Sequence, residues 1–112
     1  MLERRLLLVA ATVVLAAACG DSTGPAGPNA VAVRNNQFAP AALTVAPATT
    51  VTWNFQEGTH DVTFEDGAGN SARNQSGGNH TRNFGAAGTF RYRCTIHSAD
   101  FTSGMVGVVT VQ

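Results

Sequence analysis

From residue 29 to the C-terminus the chain alternates apolar and polar positions in short runs. The segments VAVRNNQF, LTV, TVTWNF, DVTF, TRNF, TFRYRC and MVGVVTVQ are rich in Val, Thr and aromatic residues and are separated by Gly, Pro, Asn and Asp. Period-two alternation of β-branched and aromatic residues predicts strands, and the intervening turn formers end them. No window keeps a helical period. About seven to eight short strands in a chain of this length predict an all-β fold, a Greek-key β-sandwich or small barrel. The one long polar connection, EDGAGNSARNQSGGN over residues 65–79, reads as a loop or short irregular excursion.

The same alternation aims individual side chains, because residues two apart share a face. In FRYRC, Phe90, Tyr92 and Cys94 share one face while Arg91 and Arg93 take the other, so Cys94 points inward. In HDVTF, His60 is in phase with Val62 and Phe64, and Asp61, Thr63 and Glu65 are expected on the opposite face. Met105 is in phase with Val109 and Val111. His97 follows Cys94 by three residues, so a tight turn beyond the strand brings both side chains to one centre. One thiolate, two imidazoles and a distant thioether form the trigonal set with a weak axial Met that suits copper cycling between its two oxidation states. Taken singly, each residue has a plainer reading. Cys94 alone is a small buried hydrophobe, Met105 core packing, His60 an inner histidine and His97 a loop residue. The coincidence of spacing and phase is what points to a metal. His80, in GGNHTRNF, fits no ligand pattern and is expected to be exposed.

Composition narrows the function. The hydrophobic fraction is 44% and the charged fraction 12%, as in a globular domain. Seven arginines, no lysine and seven acids give zero formal charge, which leaves no basic stripe for nucleic acid. In MLERRLLLVAATVVLAAACG, Arg4 and Arg5 precede an apolar run over residues 6–18. That order predicts a secretory signal peptide over 1–18, and the run is short for a bilayer span. AAAC at 16–19 resembles a bacterial lipoprotein box, with Cys19 as the lipidated first residue of the mature chain. The stretch over 19–29 is a Gly/Pro/Ser tether, and the domain occupies 30–112. The protein is therefore expected outside the cytoplasm, on the periplasmic or outer-surface side, held to a bacterial membrane through Cys19. Lipidation of Cys19 leaves Cys94 without a disulfide partner, and an exported thiol needs burial or a metal to hold it.

TVTWNFQEGTHDVTF followed by GTFRYRCTIHSADFTSGMVGVVTV, with FAPAALTVAPATTVTW upstream, resembles the cupredoxins, in particular the plastocyanin, amicyanin and pseudoazurin group of small blue-copper proteins. The similarity covers almost all of the chain after Asn29. It implies a Greek-key sandwich holding one type 1 copper, with His60, Cys94, His97 and Met105 as ligands. It also implies an electron carrier, not an enzyme, that docks transiently with redox protein partners near His97, where Ile96, Ala99 and Phe101 would form an apolar patch. A monomer is expected. Two departures stand out. The family usually places Asn after the first histidine to brace the ligand loops, whereas this chain has Asp61, which accepts hydrogen bonds but lacks an amide donor. Seven residues, SADFTSG, separate His97 from Met105, more than in these small relatives, and the extra length is expected to bear first on the axial contact.

Other readings make different demands. An immunoglobulin-like binding module would use Tyr92 as a tyrosine corner and Trp53 as the core tryptophan, but it wants a cysteine on the neighbouring strand to pair with Cys94. A periplasmic copper-delivery protein would carry several exposed Met or His residues. Copper enzymes on this fold use additional copper centres, and a copper-A site needs a second cysteine beside the first; neither pattern is present.

Overall fold

Eight strands form where the alternation is strongest, and they stack as two sheets. The computed structural model describes residues 28–112; the predicted signal over 1–18, Cys19 and most of the 19–29 tether lie outside the described residues. The strands are β1 (Ala30–Arg34), β2 (Gln37–Ala39), β3 (Ala42–Val45), β4 (Thr49–Phe55), β5 (Thr63–Phe64), β6 (Asn79–Phe84), β7 (Gly88–Arg93) and β8 (Val106–Val111). One sheet runs β2-β1-β4-β6 and the other β3-β8-β7-β5. Both are mixed: β1 lies parallel to β4 and β3 parallel to β8, while the remaining pairs are antiparallel. Among the described residues there is no helix.

VAVRNNQF, which reads as one segment, is a hairpin. Asn36 takes φ 65°, a left-handed conformation that asparagine tolerates, and it turns β1 back so that Val33 faces Phe38 in the antiparallel ladder.

The core fills the space between the sheets with alternate residues from each strand. Val51, Trp53 and Phe55 of β4 face Tyr92 of β7 and Val109 and Val111 of β8, all buried. Trp53 sits at the centre, edge-on to Phe64 and Tyr92 at ring-centroid distances of 5.5 and 5.3 Å, the arrangement that the ring quadrupoles favour. Tyr92 is fully buried and its hydroxyl has no hydrogen-bond partner, so it makes no tyrosine corner. Burial pushes its phenol far above the ordinary range, against a smaller opposing effect of the Trp53 side chain.

Arg82 closes one flank. Its guanidinium lies 4.4 Å from the Phe64 ring centroid, 4.7 Å from that of Phe84 and 5.1 Å from that of Phe90, and it pairs with Asp66 at 2.8 Å.

Candidate metal centre

Cys94 stands immediately beyond the end of β7, and the phase of that strand carries it inward: it is fully buried. A tight turn follows, with the His97 N–H donating to the Cys94 carbonyl at 3.3 Å, so that the His97 ring swings back over Cys94 while remaining exposed. His60 arrives from the other side. Its backbone pairs with Gln75 through two hydrogen bonds of 2.9 and 2.8 Å, so the long polar connection works as a substitute strand. The same connection feeds the Asn70 and Ser71 side chains to the N–H groups of Phe64 and Val62. Gly58 admits the approach: its φ is +72°, and a Cβ there would lie 2.9 Å from His60 Nε2 and closer still to Asn35 Oδ1. No side chain fits that space, and the left-handed backbone disfavours one independently.

The result is a triangle of electron-pair donors. Cys94 Sγ lies 3.8 Å from His60 Nδ1 and 3.5 Å from His97 Nδ1, and the two Nδ1 atoms are 3.2 Å apart. His60, Cys94 and His97 form the group of side chains that could hold a metal among the described residues. The product of the three sides divided by four times the triangle's area gives a point about 2.0 Å from every corner, the length of a first-row metal–imidazole bond and slightly short for a metal–thiolate bond. A soft thiolate with two imidazoles is the donor set copper prefers, so the residues fit a copper ion. Cys94 is free. Burial, followed by the neighbouring His97 ring, lowers the pKa of His60, opposed in part by a hydrogen bond with the Glu57 backbone and then by the Asp61 carboxylate; the neutral imidazole that a metal requires is thereby favoured.

Met105 precedes β8 and is 1% exposed, in phase with buried Val109 and Val111 as the alternation predicts. Its backbone ties the ligand loops together: the Cys94 N–H donates to the Met105 carbonyl at 3.0 Å, and the Met105 N–H donates to the His97 carbonyl at 3.4 Å. The seven-residue loop is thus closed at its base. It is also folded on itself. Asp100 Oδ1 accepts from the N–H groups of Thr102 and Ser103, both at 2.9 Å, and from their hydroxyls. Arg93 donates to the Ser98 carbonyl and stacks on Phe101.

Asp61 departs from the strand phase. The alternation in HDVTF aims it outward, yet it is 1% exposed, because β5 starts only at Thr63 and the chain before it is irregular. Its Oδ1 accepts from the Thr95 N–H at 3.0 Å and the Thr63 hydroxyl at 2.9 Å, and its Oδ2 from the Thr95 hydroxyl at 2.5 Å. All three bonds need only an acceptor at Asp61, so a carboxylate does the bracing without an amide donor. Sequence reasoning passed over Thr95 and Thr63; a threonine hydroxyl beside Cys94 and another two residues after Asp61 were the available signal. His80, expected exposed, is half-buried, with Nε2 2.7 Å from the Gly69 carbonyl oxygen and its ring 6.0 Å from that of Trp53. It lies outside the triangle.

The model of the copper binding proteins, plastocyanin/azurin family, matches residues 29–112. Among solved structures, a purple cupredoxin from Nitrosopumilus maritimus is 28% identical, with a TM-score of 0.56 over 67% of this chain and 81% of that one. An oxidised variant of amicyanin is 26% identical, with a TM-score of 0.62 over 80% of this chain and 90% of that one. A pseudoazurin from Methylobacterium extorquens shares the fold at 24% identity and a TM-score of 0.59, over 73% of this chain and 72% of that one. No curated protein matches.

Proposed function

Because the chain belongs to the plastocyanin/azurin family of copper-binding proteins, we propose that it is a type 1 copper electron carrier that passes single electrons between redox proteins outside the cytoplasm. The carrying observation is the triangle of Cys94 Sγ and two Nδ1 atoms, buried on two corners and exposed on the third. In this reading His60, Cys94, His97 and Met105 are the residues that would hold the ion. Bound copper supplies a one-electron couple. The protein's own contribution is to hold the donors still: hydrogen bonds between the backbones of Cys94, His97 and Met105, and between those of His60 and Gln75, fix the ligand positions before metal arrives. Little has to move when the charge changes, which favours rapid exchange.

His97 is the exposed corner and the proposed exit for the electron, with Ile96, 45% exposed, and Ala99 beside it for brief docking. Phe101 is half-buried beneath Arg93 and contributes less to such a patch than Ile96. Weak docking suits a carrier, since a long-lived complex would limit turnover. A signal peptide over 1–18 and a lipid on Cys19, with the 19–29 tether, would keep a monomeric 30–112 domain near membrane-bound partners and raise their effective concentration. A copper-delivery role is less well supported: among the described residues Met105 is buried and His80 is bound to the Gly69 carbonyl.

The test adds copper(II) to the purified protein and to Cys94→Ser, and records visible absorption and electron paramagnetic resonance. The expected result is an intense thiolate-to-copper band that bleaches reversibly with reductant and is absent from Cys94→Ser. A colourless parent, or copper binding indifferent to Cys94, would overturn the assignment. His97→Ala is expected to impair metal binding and electron exchange together.

A further inference from the structure

Asp61 poses an electrostatic problem that its hydrogen bonds do not solve. It is 1% exposed, and its three partners, the Thr95 N–H, the Thr95 hydroxyl and the Thr63 hydroxyl, are all neutral. The ion pairs of the described residues join Arg82 to Asp66 and Arg91 to Glu65, not a cation to Asp61. A buried carboxylate without a counter-charge is costly, and proteins place one where a cation or a metal offsets it. The position supplies the candidate. Asp61 adjoins His60 in the chain and is bonded to Thr95, the residue after Cys94, so it is tied to both buried corners of the triangle.

We propose that Asp61 is the built-in counter-charge of the metal centre, a positioning residue that braces Thr95 and also favours the divalent over the monovalent ion. The inference rests on the copper reading above. Copper(II) with the Cys94 thiolate leaves one net positive charge, which the carboxylate balances. After one electron is taken up from a donor, with no bond broken and no proton moved, the carboxylate is left as an uncompensated buried anion. The metal-free protein carries the same burden. Asp61 therefore destabilises the empty and the reduced states relative to the oxidised one, and it holds the reduction potential down.

The test compares the copper-loaded full chain with Asp61→Asn, which keeps the side chain's shape and an oxygen for the Thr95 N–H. Reduction potential is read by spectroelectrochemical titration, copper(II) and copper(I) affinities by chelator competition, and metal-free stability by denaturant unfolding. The expected outcome is a fall of at least tenfold in the ratio of copper(II) to copper(I) affinity, equal to an upward shift of about 59 mV for one electron. Metal-free stability is expected to be equal to the parent's or higher. An unchanged ratio overturns the inference, and so does a metal-free variant that is destabilised at unchanged potential, which is the signature of bracing alone. Should Asp61→Asn fail to fold, Asp61→Ser, which removes the charge and keeps a small polar side chain, carries the same prediction. A parent without a thiolate-to-copper band overturns the copper reading and this inference together, whereas a parent band with equal potentials overturns the inference alone.

Discussion

Gly107 is a position where one added methyl group meets a buried ring that cannot move aside. It pairs with Tyr92 across the β7–β8 ladder, and a Cβ built there would lie 2.7 Å from Tyr92 Cε2 and nearer still to Cζ and the hydroxyl oxygen. Carbon atoms in good contact stand about 3.5–4.0 Å apart, so the ring would have to retreat by roughly 1 Å or more. It has nowhere to go. Phe38 lies edge-on at 4.7 Å between centroids, and Trp53 and Phe64 each stand 5.3 Å away. Overpacking of this kind costs about 1–3 kcal/mol, which for a domain of this size lowers the melting temperature by roughly 5–20 °C. Calorimetry on metal-free Gly107→Ala measures it. Because Tyr92 lies two residues before Cys94 on the same face, the thiolate-to-copper band of the loaded variant should shift as well. A melting temperature equal to the parent's would refute the reasoning, since it would mean that the Tyr92 ring has slack which its packing denies.

Other outcomes follow from the charges and loops. The lowered pKa of His60 means that the unfolded chain takes up a proton near pH 6.5 before the folded one does; the stability of the metal-free protein should hold above that pH and decline below it, and His60→Ala should flatten the decline in denaturant midpoints. Arg82→Ala removes a guanidinium shared by three rings and should cost about 1–2 kcal/mol in urea unfolding, while Asp66→Asn, which removes a partner 42% exposed, should cost much less. Asp100→Ala should leave the fold intact but expose the 98–104 loop to protease, because one carboxylate oxygen accepts four of its hydrogen bonds; cleavage at the parent's rate would contradict this.

Residues directly flanking regular strands were the legible ones. Cys94 and Met105 fall where β7 and β8 aim them, since burial of alternate residues follows directly from the pleat. His60 was aimed correctly although it lies outside a strand, and Asp61 was not: the same phase argument applied to the irregular stretch before β5 is right for one and wrong for the other. The buried carboxylate is permitted by Thr95 and Thr63, partners that only the tertiary fold brings to it. The β1–β2 hairpin escaped notice because its turn, Asn35 and Asn36, lacks the glycine that usually marks one. The 65–79 connection was recognisable as irregular, but its pairing with His60 depends on contacts that no local pattern encodes.

The hydrogen bonds from Met105 to His97 and from Cys94 to Met105 have a consequence for the surface above them. They close residues 98–104 at the base as a cassette, held against β7 by Arg93 and stabilised from within by Asp100 and Ser98. Changes in the cassette's length or chemistry need not propagate to the donors beneath. Substitutions within residues 98–104 can therefore alter the surface beside His97 while leaving the donors where they are.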